Sequence, residues 1–304
     1  MLHEGDVALN CGRACLEYLI ELRGIRTVWL PDFLCSSVPN LCRKTGVTVR
    51  VYRIGEGFRP AYDFEVTEGE WLYLVDYYGQ LSQVDVGTAL EFSGGRLIVD
   101  ESQGYYREPW GEADTIYTCR KWFGVADGAF LCTHDGTRLD HGLARSESFG
   151  HMGFVLGRFE RTAGEFFAES KDNNARFADE TMAGMSVLTE NLLHAVDYEA
   201  IKDRRRENWS VLDSALGFSN HLSLAFPEVP FMYPYMVIDA RGVRSRMADE
   251  NVFVPTLWPN VLDDSGVGPT AIDFSNNILP LPIDQRYGVC DMERVLEVLS
   301  RCLN

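Results

Sequence analysis

One lysine of this 304-residue chain stands where an amine could do chemistry. Lys121 lies between two short apolar runs, residues 115–119 and 128–133, and each run predicts a buried strand. The other lysines have polar or charged neighbours typical of solvent-exposed positions; they are Lys44, Lys171 and Lys202. A lysine at the end of a buried strand is partly desolvated, which favours the neutral amine that Schiff-base formation with a carbonyl requires.

A carboxylate follows another predicted strand further upstream. Residues 96–99 (RLIV) predict a buried strand that ends at Asp100. In open α/β sheets ligands bind outside the carboxyl ends of the strands, which is where Asp100 would lie. Pyridoxal phosphate (PLP) needs a lysine for its aldehyde and a carboxylate that keeps its ring nitrogen protonated. Lys121 and Asp100 together therefore predict a PLP site.

A helix start near the amino terminus could hold a phosphate group. Residues 10–23 have the apolar spacing of an amphipathic helix, with Asn10 as its predicted cap and Gly12 just inside. The free N–H groups and the dipole of a helix start favour anions. A glycine near a helix start is, however, usually only a turn residue that binds nothing.

The order of predicted elements indicates parallel βαβ units. Strands are predicted at residues 26–30, 47–54 and 71–76, with a helix over residues 33–44. Residues 136–174 show no period, and two helices are predicted at residues 177–195 and 198–216. A second, smaller part is predicted to contain strands at residues 222–225, 232–239 and 252–255 and a helix at residues 292–303.

Composition excludes several function classes. The net charge of −17 argues against nucleic-acid binding, because phosphates need a basic surface to neutralise them. Glu4 and Asp6 stand where a signal peptide would be basic, and no apolar run could span a bilayer, so we expect a cytoplasmic protein without membrane contacts. The eight cysteines lack metal-ligand spacing and predict reduced thiols and no metal site.

The ordered set of motifs resembles the DegT/DnrJ/EryC1/StrS aminotransferases, which are fold type I PLP enzymes. Residues 10–16 (NCGRACL) are similar to the family's phosphate-binding helix start; the matching positions are Gly12, Arg13 and Ala14. Residues 30–37 (LPDFLCSS) resemble the segment that covers the cofactor ring, with Phe33 or Cys35 over the ring face.

Two further segments carry the most specific part of the resemblance. Residues 99–103 (VDESQ) resemble the family's EDAAQ, which implies that Asp100 pairs with the ring nitrogen and that Gln103 donates to the ring hydroxyl. Residues 118–128 (TCRKWFGVADG) resemble the segment of the cofactor-binding lysine, Lys121, with Thr118 or Cys119 in place of the usual serine. Asn174 matches the Asn-x-Arg motif whose asparagine reaches the phosphate in the partner subunit.

The resemblance implies a function and an architecture. It implies a PLP-dependent aminotransferase that moves an amino group, from a donor such as glutamate, to a keto-sugar nucleotide or a similar keto substrate. The implied fold is α/β, with a mostly parallel large domain over residues 1–205 and a small α+β domain over residues 206–304, in a homodimer. Ala129 replaces the last glycine of the lysine segment, and the chain is shorter than typical members.

Two alternatives remain open. One is a PLP-dependent lyase or dehydratase, which Lys121 disfavours because the family's sugar dehydratases carry histidine there. The other is a binding or scaffold protein that keeps the fold without catalysis.

Overall fold

The computed structural model of the chain describes residues 1–303, and its centre is a seven-stranded sheet. The strands are β1 (Val7–Leu9), β2 (Thr27–Pro31), β3 (Thr48–Tyr52), β4 (Glu70–Val75), β5 (Leu97–Asp100), β6 (Asp114–Thr118) and β7 (Ala129–Cys132). Their order across the sheet is β1-β7-β6-β5-β4-β2-β3. Strand β7 runs antiparallel to both of its neighbours, β1 and β6, and the other four strand pairs are parallel, so the sheet is mostly parallel, as the sequence predicts.

Helices surround this sheet and build the rest of the chain. They are α1 (Gly12–Arg23), α2 (Ser37–Lys44), α3 (Gln83–Phe92), α4 (Gly153–Gly157), α5 (Phe167–Arg176), α6 (Val187–His194), α7 (Tyr198–Leu216), α8 (Ala240–Asp249), α9 (Pro259–Asp263), α10 (Pro269–Asn277) and α11 (Val289–Leu303). Every residue of β4 and β5 is buried, because a parallel sheet is covered on both faces. This coverage explains why the central strands are continuous apolar runs.

A second core forms around a small antiparallel sheet. Strands β8 (Tyr233–Met236) and β9 (Ile278–Leu281) pair with each other, and α7, α8 and α11 supply most of the apolar side chains around them. Helices α9 and α10 instead pack on the first core through Val261, Ala271 and Phe274. The predicted domain boundary after residue 205 falls inside α7, and the two-domain division stays a prediction.

Two predicted strands in the second half are wrong. Residues 222–225 are irregular because the backbone of Ala225 forms its hydrogen bonds with the side chain of Gln80. The Ala225 N–H donates to Gln80 Oε1 (2.8 Å), and the Ala225 carbonyl accepts from Gln80 Nε2 (3.0 Å). Residues 252–255 are also irregular, and the Val252 N–H donates to the Met247 carbonyl at the end of α8.

The predicted helix over residues 177–195 forms only from Val187 onward. Its first half lies along β1 instead, where the Asn10 N–H donates to the Ala183 carbonyl and the Met185 N–H to the Ala8 carbonyl. Ser186 then begins α6, because its hydroxyl accepts from the Thr189 N–H (3.1 Å). Within the apparently aperiodic residues 136–174, the structure contains α4 and most of α5.

Candidate active site

The strand register brings the predicted site segments to one edge of the sheet. Asp100 at the end of β5 lies opposite Ile116 in β6, and Thr118 at the end of β6 lies opposite Ala129. Leu9 at the end of β1 also pairs with Ala129. The carboxyl ends of β1, β5 and β6 therefore meet, and with them the start of α1, Asp100 and the turn that contains Lys121.

The start of α1 packs directly against the end of β6. A Cβ atom added to Gly12 would lie 2.6 Å from Cγ2 of Thr118, so only glycine permits this close approach. No side-chain hydrogen bond caps the helix at Cys11, and the hydroxyl of Thr118 is buried without a partner among the described residues. The start of α1 and the unpaired Thr118 hydroxyl are therefore close to each other, and the N–H groups of a helix start together with such a hydroxyl can bind an anion.

The Asp100 carboxylate is held in a fixed orientation. Its Oδ2 accepts from the Tyr73 hydroxyl (2.7 Å), and its Oδ1 accepts from the Ser102 N–H (2.8 Å). Each oxygen retains a lone pair that can accept another hydrogen bond. Gln103 is oriented in the same way, because its Oε1 accepts from the Tyr78 N–H (2.9 Å) and leaves its Nε2 to donate elsewhere. The roles of both side chains toward the cofactor ring stay predictions.

Lys121 lies three residues past the end of β6, at a large cavity. The cavity has a volume of about 760 Å³, and its lining includes Lys121, Arg120, Arg158, Arg205, Phe231 and Arg286. The sequence predicts a partly desolvated amine, but the Lys121 side chain is exposed in the single subunit. Within residues 1–303 it has no hydrogen bond or ion pair, so its amine is available to react.

The buried Asp127 anchors the turn that follows Lys121. Its carboxylate accepts from the Ser186 N–H (2.9 Å), the Ser186 hydroxyl (2.8 Å) and the Thr189 hydroxyl. These three bonds tie the lysine segment to the start of α6. The sequence patterns assign no role to Asp127 by itself, although it lies in the segment, residues 118–128, that resembles the family's lysine segment.

Replacing Asp127 with alanine should lower the free energy of unfolding by about 3 kcal/mol, because three buried donors lose their acceptor. Urea denaturation of the variant measures this loss. The exposed Asp172 supplies the control, since its replacement by alanine should change stability by less than about 0.5 kcal/mol. Equal stability of the Asp127 variant and the wild type would contradict the anchoring role.

Phe33 lies away from the cavity. Its side chain is fully buried and packs against the rings of Trp258 (4.9 Å between centroids), Tyr77 (5.3 Å) and Phe274 (5.7 Å). The structure therefore places Phe33 in the core beneath α10 and does not bring it to Lys121. Its assignment to the cofactor ring face stays a prediction, and Cys35 is the more exposed of the two candidates.

Asn174 lies beside two arginines of its own chain. Its carbonyl oxygen accepts from Arg13 Nη2 (2.9 Å), and its side-chain oxygen accepts from Arg120 Nη1. Both guanidinium groups lie near the ring of Phe177. Burial lowers the pKa of Arg120 to about 10, and the neighbouring positive charges of Arg13 and Arg176 act in the same direction. The sequence motifs assign no ligand to Arg120, although a second cation next to Lys121 favours an anionic group nearby.

These residues fit PLP. The unpaired Thr118 hydroxyl and the glycine-dependent start of α1 fit a phosphate group, and the oriented Asp100 carboxylate fits a protonated ring nitrogen. Among residues 1–303 there is no group of three metal-ligating side chains, and none of the helices is both long and apolar enough to cross a bilayer.

Solved structures share this fold at low sequence identity. A protein described as a sugar aminotransferase, Spr1654 from Streptococcus pneumoniae, matches 97% of this chain and 87% of its own with a TM-score of 0.70 at 14% identity. A DegT/DnrJ/EryC1/StrS aminotransferase from Brucella abortus matches 97% of this chain and 85% of its own with a TM-score of 0.65, also at 14% identity. DesI, solved with its TDP-sugar product, matches 97% of this chain and 80% of its own with a TM-score of 0.64 at 15% identity.

No protein-family profile and no curated protein sequence matches the chain. The structural likeness confirms the predicted fold: the chain has the α/β fold of the fold type I PLP-dependent transferases, and its structural neighbours are the sugar aminotransferases that the sequence motifs resemble.

Proposed function

We propose that this protein is a PLP-dependent aminotransferase that transfers an amino group from a donor such as glutamate to a keto-sugar nucleotide or a similar keto substrate. The observation that carries the proposal is the convergence of Asp100, Lys121 and the start of α1 at one sheet edge. The structural neighbours support it, because they are described as sugar aminotransferases and DesI was solved with a TDP-sugar.

Each residue has a distinct task in this mechanism. PLP, when bound, supplies an electron sink for the carbon next to the substrate nitrogen. The Asp100 carboxylate, held by Tyr73 and Ser102, accepts a hydrogen bond from the ring nitrogen and keeps its proton in place. The N–H groups at the start of α1 bind the phosphate. Lys121 Nζ would take the proton from the substrate α-carbon as a general base and deliver it, as a general acid, to the carbon of the cofactor's aldehyde group.

The arginine-rich cavity supports an anionic substrate. Arg286 is paired with Asp284 and Arg205 donates to backbone carbonyls, whereas the buried Nε of Arg158 has no partner among the described residues. A positive cavity in a chain with a net charge of −17 attracts anions locally. The phosphates of a nucleotide-linked sugar have the required charge.

A homodimer is part of the proposal. The stretch from residue 149 to residue 167 exposes four large apolar side chains, namely Phe149, Leu156, Phe159 and Phe167. Phe159 also lines the cavity that contains Lys121. Exposed apolar patches of this kind mark protein interfaces, and a second copy placed here would close the cavity.

Replacing Phe159 with glutamate is expected to convert the dimer to a monomer, because a charge would be buried in the interface. Light scattering after size-exclusion chromatography should show the mass fall by about half at micromolar concentration. Phe218 is as exposed and apolar but lies in the second part of the chain, so its replacement by glutamate should leave the mass unchanged. A wild type that is monomeric would refute the proposed dimer.

We also propose a cytoplasmic location. All eight cysteines are free thiols, which is typical of proteins from a reducing compartment.

The direct test of the function is the absorption spectrum of the purified protein with PLP, recorded before and after addition of glutamate. The transaminase should form a visible band and lose it when the amino group is transferred. A protein without this band would be a binding or scaffold protein with the same fold.

A further inference from the structure

Two arginines at the start of α1 lack a negatively charged partner. Arg13 and Arg120 each donate to Asn174, one to its backbone oxygen and the other to its side-chain oxygen. Among residues 1–303 neither of them forms an ion pair with a carboxylate. Because both side chains are half-buried, two adjacent positive charges are held at this site with no carboxylate in ion-pair contact and with Asp127 acting on Arg120 only from a longer distance. This arrangement is unfavourable unless an anion joins them.

A third arginine beside them has a negatively charged partner that neutralises it. Arg176 packs over the same Phe177 ring at 4.1 Å, but it is paired with Glu180 and also donates to Asn173 Oδ1 (2.9 Å). Arg120 packs over that ring at 4.4 Å with only the neutral Asn174 as a partner. The protein therefore neutralises one of the three guanidinium groups and leaves two of them open.

Other unpaired donors lie in the same region. The first turn of α1 has no side-chain cap, and the buried Thr118 hydroxyl has no partner within the described chain. Arg120 directly precedes Lys121, so an anion bound by Arg120 would lie within reach of a molecule attached to Lys121. A ligand that joins these groups needs several acceptor oxygens, a charge near −2 and a reactive carbonyl.

We propose that Arg120, assisted by Arg13, binds the phosphate group of PLP, and that Asn174 of the same chain positions the two guanidinium groups. This inference rests on the proposed function. The phosphate dianion would neutralise the two open arginines, and its oxygens would accept from the helix N–H groups and from the Thr118 hydroxyl. Phosphate binding would then depend on cations of the cofactor's own subunit.

The test compares PLP with pyridoxal, which carries the same aldehyde without the phosphate. Apoprotein is titrated with each compound, and the Lys121-dependent band gives the two dissociation constants. Arg120→Gln should raise the dissociation constant of PLP by about 10- to 100-fold, because charge-assisted hydrogen bonds are lost. The dissociation constant of pyridoxal should change by less than about twofold.

Three variants keep the comparison interpretable. Arg120→Lys should recover part of the PLP affinity by restoring the charge, and Arg13→Gln should show a smaller loss in the same direction. Arg26→Gln removes an exposed arginine remote from α5 and should match the wild type. Inorganic phosphate should compete with PLP in the wild type and much less in Arg120→Gln.

The outcomes separate this inference from the proposed function. If Arg120→Gln weakens the binding of PLP and of pyridoxal equally, or weakens the binding of neither, Arg120 does not bind the phosphate, although the wild type still forms its band. If the wild type forms no band with either compound, the proposed function fails, and the inference fails with it. Competition by phosphate that is equal in the wild type and in Arg120→Gln would place the phosphate elsewhere.

Discussion

Replacing Lys121 with alanine is expected to remove the visible band that the wild-type protein forms with PLP, and to reduce amino-group exchange with glutamate by at least about 100-fold. Lys121 is the amine at the cavity, and in the described chain no other group holds it. Its loss removes both the covalent attachment of the aldehyde and the group that moves the proton. Spectra of apoprotein titrated with PLP, followed by single additions of glutamate, measure the two effects.

The matched control is Lys171→Ala, because Lys171 is an exposed lysine in α5 outside the cavity lining. This variant should form the band and exchange its amino group like the wild type. A Lys121→Ala variant that keeps the wild-type band would show that another amine binds the aldehyde. A wild type that forms the band but does not respond to glutamate or other amino donors would leave the cofactor chemistry intact and point to the lyase or dehydratase alternative.

The positions of Lys121 and Asp100 could be predicted from sequence because they follow from local patterns. Lys121 and Asp100 each follow a short apolar strand, and parallel strands bring their carboxyl ends to the same edge. The partners of these residues could not be predicted in that way. Arg120 meets Asn174 across 54 positions of sequence, on a polar helix, α5, that lacks a clear apolar face. Such contacts depend on tertiary packing that periodicity does not encode.

The position of Phe33 also depends on tertiary packing, which the sequence pattern does not reveal. An aromatic residue after β2 is expected at the sheet edge, as the sequence predicts, but α9 and α10 return from the end of the chain and cover that position. The sequence assigned these late segments to a second part of the protein. Their apolar residues give no indication of which core they join.

A pair of carboxyl groups lies buried next to Asp100. Asp76 and Glu101 are both fully buried, and neither Asp76 Oδ2 nor Glu101 Oε2 has a hydrogen-bond donor among residues 1–303. Both oxygens lie close to the α-carbon of Gly104, where an added Cβ would be 1.9 Å from Glu101 Oε2 and 3.0 Å from Asp76 Oδ2. Two adjacent acceptors without a donor require a proton between them.

The surroundings of the pair fit a single shared proton. Arg107 Nε lies 3.4 Å from Asp76 Oδ2 and 3.7 Å from Glu101 Oε1, so one positive charge balances one carboxylate. The Leu81 N–H donates to Asp76 Oδ1, and the Trp110 indole N–H donates to Glu101 Oε1. Burial, followed by the neighbouring charge of Asp76, raises the pKa of Glu101 well above its usual range. Burial also raises the pKa of Asp76.

This proton makes stability depend on pH in a definite direction. The unfolded chain releases it near the ordinary glutamate pKa of about 4.3, whereas the folded pair retains it to higher pH. Folding therefore takes up a proton, and its free energy becomes less favourable as pH rises, by at most about 1.4 kcal/mol per pH unit for one proton. The loss ends once the pH exceeds the raised pKa of the folded pair.

Glu101→Gln is expected to remove this dependence, because the glutamine amide can donate permanently to Asp76 Oδ2 and carries no charge. The measurement is the free energy of urea unfolding of both proteins from pH 6 to pH 9. The free energy of unfolding of the variant should increase relative to that of the wild type as pH rises, with a slope of up to about 1.4 kcal/mol per pH unit. Glu112→Gln, at an exposed position in the same loop region, should show no such slope.

A difference between Glu101→Gln and the wild type that stays constant over this range would mean that the pair carries no proton at neutral pH. Arg107 would then have to balance two carboxylates alone, and the folded protein would hold an excess negative charge beside Asp100. Because the Asp76 N–H donates to the Asp100 carbonyl (3.0 Å), that charge would act on the strand end that orients Asp100, the proposed partner of the ring nitrogen. The shared proton avoids this excess charge. It leaves the Asp100 carboxylate, which has no ion-pair partner among residues 1–303, available to the protonated ring nitrogen that the proposed function assigns to it.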